Sequence, residues 1–94
     1  MDHAPSLDLL ESTHVFPGVY QIKAIGKTDD DFERRVIEAV LGELAAASDL
    51  DHNCRSTPGG RHVSVTLDIT VQSADQVRQI YARIRECAGL SYLF

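Results

Sequence analysis

Alternating apolar and polar residues predict four β-strands in this chain. The clearest run is Arg61 to Val71, where valine, leucine and isoleucine occupy every second position and mostly polar residues lie between them. One face of this strand should therefore be buried and the other exposed to water. The other three segments with strand character are Val19 to Ile25, Leu50 to Ser56 and Leu90 to Phe94.

Apolar residues three or four positions apart predict a helix after the first strand. Asp30 is expected to cap its N-terminus, with Glu33 in the capping-box position three residues later. The apolar stripe continues through Ala47, and Ser48 ends the helix. Gly42 lies inside this helix and off its stripe, where a glycine should cost about 1 kcal/mol relative to alanine.

The same spacing predicts a second helix after the third strand. It begins at Ser73, with Gln76 as its capping-box partner, and Gly89 is placed to end it. The order β-α-β-β-α-β is that of a ferredoxin-like fold, an α+β two-layer sandwich. We expect an antiparallel sheet of order 4-1-3-2 with two helices covering one face. Residues 1–15 should form a flexible N-terminal arm, and residues 16–94 a single ferredoxin-like domain.

Composition and charge exclude several kinds of protein. No apolar run among the 94 residues approaches the ~20 residues of a membrane span, and no secretory signal is expected. A net charge of −5 argues against a nucleic-acid partner. The open face of the central strands is also expected to carry no aromatic platform for bases. The two cysteines form no CxxC pair, so we expect free thiols in a reducing cytoplasm, and no cofactor.

Charge is distributed unevenly along the chain. Residues 1–51 carry eleven acidic and four basic groups, whereas residues 52–94 carry three acidic and five basic groups. Surfaces of opposite charge on two copies would steer their association. The segment Leu50 to Ser56 is expected at an exposed edge of the sheet, where unpaired backbone groups invite another strand. We therefore expect a homodimer joined through residues 50–56.

Three residues are metal ligands by type: His52, Cys54 and His62. If residues 57–60 form the loop between the second and third strands, Cys54 points into the core and His62 points to the open face. This geometry argues against a shared metal ion, and a bulge would be needed to bring the three residues together. The expected pairs across this hairpin are Ser56 with Arg61, Cys54 with Val63 and His52 with Val65.

No group of residues points to a catalytic centre. The segment Gly26 to Thr28 lies between a strand and a helix, as a phosphate-binding loop does, but Gln21 stands where such a loop needs its first glycine. Ser64, His62 and Asp68 share one strand face, yet the histidine and the aspartate lie about 20 Å apart, too far for a triad. We therefore expect a protein that is not an enzyme.

Short motifs of structural rather than catalytic character run through residues 14–94. They are Phe16-Pro17, Lys23-Ala24-Ile25-Gly26-Lys27, Asp31-Phe32, a turn ending in Gly60, Ser64-Val65-Thr66, and Ser73 to Gln76 with Tyr81. These motifs resemble the YbeD-like family of small bacterial proteins of unknown function. The resemblance implies a ferredoxin-like fold comparable to ACT regulatory domains, which bind small metabolites at subunit interfaces. The hairpin departs from the family pattern, because Thr57-Pro58-Gly59-Gly60 replaces Ser-Ser-Lys-Gly and His62 replaces a tyrosine.

Together, the pattern and the resemblance predict a non-enzymatic, ACT-like regulatory or ligand-binding module. A small metabolite would lie in a cleft made by the dimer, with Gly26 allowing close backbone approach and Lys27 and Thr28 making polar contacts. One alternative is a protein-interaction adaptor without a small ligand, which uses the open sheet face or the basic helix that carries Arg78, Arg83 and Arg85. A third hypothesis is a metal-binding protein or small enzyme that uses His52, Cys54 and His62.

Overall fold

The computed structural model describes residues 5–94, which form one sheet with helices packed against one of its faces. Two short 3₁₀ helices, Asp29–Asp31 and Ala47–Asp49, precede and follow the second α-helix. The α-helices are α1 (Leu7–Thr13), α2 (Phe32–Leu41) and α3 (Ala74–Arg85), and the strands are β1 (Gly18–Lys27), β2 (Leu50–Ser56), β3 (His62–Val71) and β4 (Leu90–Leu93).

The sheet has four antiparallel strands, which confirms the predicted α+β class. The central strands β1 and β3 pair over ten residues, from Gly18 opposite Val71 to Lys27 opposite His62. The strand order is β2-β3-β1-β4, which reads 4-1-3-2 when counted from the β4 edge. Since β2 and β4 are the edges, each has one side without a strand neighbour among residues 5–94.

Alternation along β3 defines the two faces of the sheet. Every second residue, from Val63 to Val71, is buried, and the residues between them are partly exposed. The buried face, called the helix-side face below, packs against α2 and α3, whereas the opposite face is the open face. The helices contribute Phe32, Val36 and Val40 from α2, and Val77, Ile80, Tyr81 and Ile84 from α3, to the same core.

The hairpin between β2 and β3 has a different register from the one expected. Its loop spans residues 57–61, because the Thr57 N–H donates to the His62 carbonyl at 2.9 Å and the Thr57 hydroxyl donates to the same oxygen. A shift of two residues preserves the faces, since the side-chain period of a strand is two. Cys54 therefore stays on the helix-side face and His62 on the open face. The observed pairs are Ser56 with Val63, Cys54 with Val65 and His52 with Leu67.

A helix occupies residues 7–13, where the sequence predicts part of a flexible arm. The Ser6 side chain caps α1 by accepting a hydrogen bond from the Leu9 N–H at 3.2 Å. Leu10 is fully buried in the core, and α1 packs against α3. Seven residues are too few for a helical period to be distinct in the sequence, which predicts no more than one helical turn in this arm. The core thus extends back to Leu10.

The start of α2 differs from the predicted capping box at Asp30. The helix begins at Phe32, and its N-cap residue, Asp31, makes no side-chain capping hydrogen bond. Asp30 and Asp31 have left-handed backbone conformations, with φ of 62° and 54°, which are unfavourable for residues other than glycine. The Asp30 carbonyl accepts a hydrogen bond from Arg35 Nε at 2.8 Å. The two aspartates therefore turn the chain from β1 into α2 instead of capping the helix.

At its other end, α2 stops earlier than predicted, because Gly42 is its C-cap residue. The chain then tightens, and the Glu43 N–H donates to the Val40 carbonyl at 3.0 Å. Residues Ala47–Asp49 form a separate 3₁₀ helix rather than a continuation of α2. Glycine is a poor helix former, so the apolar stripe around Gly42 outlasts the helix itself.

The N-terminus of α3 confirms its predicted capping box. The Ser73 side chain accepts a hydrogen bond from the Gln76 N–H at 3.1 Å, and Gln76 Oε1 accepts one from the Gln72 N–H at 2.7 Å. Gly89 follows the helix with φ of 92°, a left-handed conformation that favours glycine. Here the local sequence and the tertiary structure agree.

Candidate functional site

A cleft of about 450 Å³ lies between the N-terminal half of α2 and the edge strand β2. Three carboxylates and one guanidinium line it, so its charge is net negative. The guanidinium, on Arg34, is already paired with Glu38 at 2.9 Å and with Asp31 at 3.5 Å. This lining favours a ligand that carries an amine or another cation. The lining residues are Thr28, Asp31, Phe32, Glu33, Arg34, Ile37, Glu38, Ser56 and Val63.

Of the three residues predicted to hold a ligand, only Thr28 lines this cleft. Gly26 is buried against the Phe32 ring, and a Cβ at this position would lie 2.5 Å from the ring. The glycine therefore admits a side chain of the core rather than a ligand. Lys27 lies on the open face, opposite His62. The Thr28 hydroxyl donates to the Gly60 carbonyl at 2.8 Å and so ties the β1–α2 turn to the β2–β3 hairpin.

Cys54 lies on the helix-side face of β2, beside the cleft residue Glu33. Burial raises the pKa of the Cys54 thiol to about 12, and its hydrogen bond to the Glu33 carboxylate acts in the same direction. Burial also raises the pKa of Cys87, while the nearby Arg35 lowers it. Both thiols are therefore protonated at neutral pH, which is the unreactive form.

The three metal-ligand candidates are not brought together by the structure. His52 and Cys54 lie on the helix-side face of β2, and His62 lies on the open face of β3. Within residues 5–94 there is no group of three or more His, Cys, Asp or Glu side chains arranged to hold a metal ion. The third hypothesis, which needs these residues to converge, gains no support from the geometry.

A second depression, of about 400 Å³, lies on the open face of the sheet. It crosses β1, β2 and β3 and is polar throughout. Gln21 donates a hydrogen bond to Asp68 at 2.9 Å, which occupies the carboxylate within the depression. The two cations, Lys23 and Arg55, form no ion pair within residues 5–94. The lining residues are Gln21, Lys23, Asn53, Arg55, Ser64, Thr66 and Asp68.

Two exposed aromatic rings lie at the end of β4, at an edge of the open face for which the sequence makes no prediction of an aromatic platform. Leu93 is buried opposite Ala24, so its neighbours Tyr92 and Phe94 lie on the open face. Their rings are nearly parallel, 15° apart, with centroids separated by 6.3 Å. The alternation in Leu90 to Phe94 contained this signal, because an apolar residue at 93 places 92 and 94 on the other side.

The outer side of β2 presents a backbone edge that is available for pairing. The Thr57 N–H bonds to His62, and the register continues along β2. Because antiparallel residues alternate between facing the partner strand and facing away, the N–H and C=O groups of His52 and Cys54 point away from β3. The open-face residues of this edge are Asp51, Asn53 and Arg55. Asp51 is negatively charged at one end, and Arg55 is positively charged at the other.

The basic side of α3 is one of the two interaction surfaces of the adaptor hypothesis. Arg83 is paired with Glu43 at 3.0 Å and with Glu86 at 3.7 Å, so it mainly links α3 to the end of α2. Arg78 and Arg85 lie beside Pro5, near the start of α1. This surface is therefore partly used within the chain.

Comparison with known protein families assigns the chain to a family. A family model described as "Protein of unknown function (DUF493)" matches residues 11–94, nearly the whole chain. The chain belongs to the DUF493 family. This finding confirms the resemblance to a family of small bacterial proteins of unknown function.

Bacterial relatives of this DUF493 chain carry the name "UPF0250 protein". The protein of Shewanella piezotolerans is 29% identical over 75 residues, which cover 80% of this chain and 83% of that protein. The protein of Chromobacterium violaceum is 29% identical over 66 residues, which cover 70% of this chain and 74% of that protein. No solved structure gives a significant match. Among residues 5–94, no helix has the length and apolarity to cross a lipid bilayer.

Proposed function

We propose that this DUF493 chain is a non-enzymatic, ACT-like module that acts by associating with a second copy through β2 and holds a small amine-bearing metabolite in the adjacent cleft. The connectivity β-α-β-β-α-β, with helices on one face, supports a ferredoxin-like sandwich of the ACT type. The free outer edge of β2 is the observation on which the proposal depends. The predicted cytoplasmic location remains part of this proposal.

The charges of β2 favour one register for self-pairing. In an antiparallel pair centred on Asn53, His52 lies opposite Cys54 of the other copy, and their outward backbone groups can form the ladder. Asp51 then lies opposite Arg55 of the other copy, twice per dimer. These are non-hydrogen-bonded positions, where opposed side chains lie closest. The segment is therefore complementary to itself in charge, and the two sheets would join into one of eight strands.

The cleft lies beside this edge, which connects association with ligand binding. Ser56, in the last position of β2, is part of the lining. A strand added to β2 would stand next to Ser56 and close the open side of the cleft. The carboxylates of Glu33 and Glu38 supply acceptors for an ammonium group, and Phe32 and Ile37 supply apolar contact. A ligand in this position would strengthen the dimer in proportion to its binding.

Analytical ultracentrifugation of charge-swapped variants tests the interface. Asp51→Arg or Arg55→Asp alone should weaken the dimer, because each places like charges opposite one another. The double swap restores opposite charges and should restore the dimer, and Arg78→Asp on α3 is the matched control. Asp51 also lies opposite Asp68 within the sheet, so Asp51→Arg should leave the melting temperature unchanged or higher. A wild-type chain that remains monomeric at high micromolar concentration contradicts the proposal.

The adaptor hypothesis has one observation in its favour. Arg78 and Arg85 of α3 border a depression with Pro5 and Ser6, on the side of the molecule away from β2. A protein partner at this surface would be independent of the dimer. Pull-down with Arg78→Glu against Asp51→Arg distinguishes the two surfaces, because loss of a partner only with Arg78→Glu supports the adaptor.

A further inference from the structure

The open face concentrates groups that are rare elsewhere on the surface. The chain has three tyrosines and three phenylalanines, and all six lie within the described residues. Only Tyr92 and Phe94, 49% and 46% exposed, are substantially in contact with solvent. Both lie on the open face, where Tyr92 of β4 is opposite Ile25 and Phe94, directly after β4, exchanges two backbone hydrogen bonds with Lys23.

The chain's two lysines lie on this same face. Lys23 lies directly opposite Phe94 across the β1–β4 pair. Lys27 lies two residues beyond Ile25 on the same face of β1, opposite His62. Arg55 completes the set on β2, opposite Ser64. The strands of the described chain contain only two acidic residues, Asp51 and Asp68, and Gln21 already bonds to the second. The part of the open face around Tyr92 and Phe94 therefore carries a local positive charge, although the net charge of the chain is −5.

We infer that the open face of the sheet binds single-stranded nucleic acid, with bases stacked on Tyr92 and Phe94 and phosphates held by Lys23, Lys27 and Arg55. From β2 to β4 the face spans about 14 Å, three strand spacings, and it is shallow. A shallow surface suits an extended polymer, whose contacts add along its length, better than a single small molecule. This inference does not involve the cleft beside α2, and Arg55 is the one of these five residues that it shares with the proposed dimer interface.

Nucleic acid fits the chemistry of this face better than an acidic peptide does. The backbone groups of the central strands are paired within the sheet, so a peptide lying across the face could not satisfy its own backbone donors there. Phosphates and bases need only donors and ring faces. The side chains supply both, because Asn53, Ser64 and Thr66 lie between the cations and can donate to phosphate or base edges.

The acidity of the whole chain, on which the sequence-based expectation of no nucleic-acid partner rests, limits the strength of binding to this face. Most carboxylates of residues 5–94 lie in the helices and in the turns that connect them to the strands, and only Asp51 and Asp68 lie in the strands themselves. Their repulsion acts through solvent and is reduced by salt over about 10 Å. Binding should therefore be weak and should depend on a few local contacts. Three cations give an expected slope of about −2 in log affinity against log salt concentration for a single strand.

The test is fluorescence anisotropy at low salt with labelled oligouridine and oligodeoxythymidine of about 12 nucleotides. A duplex of the same length and polyglutamate as a competitor are the comparison probes. Tyr92→Leu with Phe94→Leu keeps the apolar area but removes the stacking faces, and should reduce affinity about fivefold or more. Lys23→Gln with Lys27→Gln should bring the salt slope to about −0.7. Arg78→Gln, the matched change in the helical layer, should leave binding unchanged.

Each outcome decides the inference. Single strands bound more tightly than the duplex, with losses only in the open-face variants, support it. Thermal melts confirm that the variants are folded. No anisotropy change at low salt, an unaltered affinity in the Tyr92→Leu, Phe94→Leu variant, or displacement by polyglutamate at equal charge would each overturn it. The last result would instead assign the face to acidic protein segments.

Discussion

The two faces of the sheet come from the same strands but have different environments. On the helix-side face, the β3 residues from Val63 to Val71 are between 0 and 6% exposed and pack against two helices. On the open face, the alternating residues of β3 are partly exposed and polar, and the end of the edge strand β4 adds Tyr92 and Phe94. The difference shows that stability is concentrated on one face, which leaves the composition of the other free to serve recognition.

The largest effect should come from a cavity on the helix-side face. Leu67 is completely buried. Leu67→Ala should reduce the free energy of unfolding by about 2–5 kcal/mol, because it removes apolar contacts and leaves a cavity in the core. Thr66→Ala, one position away on the open face, should cost less than about 1 kcal/mol. Urea unfolding monitored by circular dichroism measures both. Similar losses for the two variants would mean that the open face is also covered in solution.

The alternation of apolar and polar residues made the contrast between the two faces predictable from the sequence. It also located the ends of all four strands to within two residues. Helix ends and the hairpin register were less well determined. Gly42 ended α2 before its apolar stripe ended, and Thr57 closed a loop one residue longer than expected. Both depend on single hydrogen bonds or on one residue's backbone preference, which an averaged pattern does not resolve.

The next largest effect should come from Gly26, where the helix-side face has no room for a side chain. A Cβ would lie 2.5 Å from the Phe32 ring, so Gly26→Ala should destabilise the fold by about 1–3 kcal/mol. Phe32→Leu should relieve the clash, so the double variant should lose less than the sum of the single losses. A double-mutant cycle of unfolding free energies measures this coupling. Strict additivity would show that the ring and the glycine do not interact.

This glycine also shows why the candidate site was harder to predict than the fold. In the sequence, Gly26-Lys27-Thr28 reads as a turn that could approach a ligand. The structure assigns Gly26 to packing and Lys27 to the open face, and leaves Thr28 at the cleft. Local sequence cannot reveal that Phe32, six residues later, folds back over the glycine. The edge-strand aromatics, by contrast, were predictable from the alternation around Leu93.

A smaller difference in stability is expected between substitutions at the N-termini of α2 and α3, the two helices that cover the buried face. Ser73→Ala removes the capping bond of α3 and should cost about 1 kcal/mol. Asp31→Gly at the start of α2 removes no capping bond and relieves a left-handed backbone, so it should be neutral or stabilising. Thermal unfolding of the two variants provides the comparison. A clear loss for Asp31→Gly would mean that its contact with Arg34 contributes more than its backbone conformation costs.

At neutral pH the smallest effect on stability concerns Cys54, where the helix-side face reaches the edge of the sheet, because its thiol titrates only at alkaline pH. Burial and the bond to Glu33 raise the pKa of this thiol from 9.0 to about 12. The folded state therefore keeps its proton where the unfolded chain has lost it. This contribution to stability is fully present below pH 9 and is lost progressively as the pH rises towards 12.

Alkylation of Cys54, followed by peptide mass mapping, gives a direct reading of that difference, since only the thiolate reacts. At pH 9 the folded protein should react much more slowly than the urea-unfolded chain. Glu33→Gln removes the negative charge beside the thiol and should accelerate labelling of Cys54, whereas Cys87, whose pKa is raised by burial and by Glu86, should label at an unchanged rate. Equal acceleration at both cysteines would indicate general loosening of the helical layer, and it would contradict a specific effect of the Glu33 charge on Cys54.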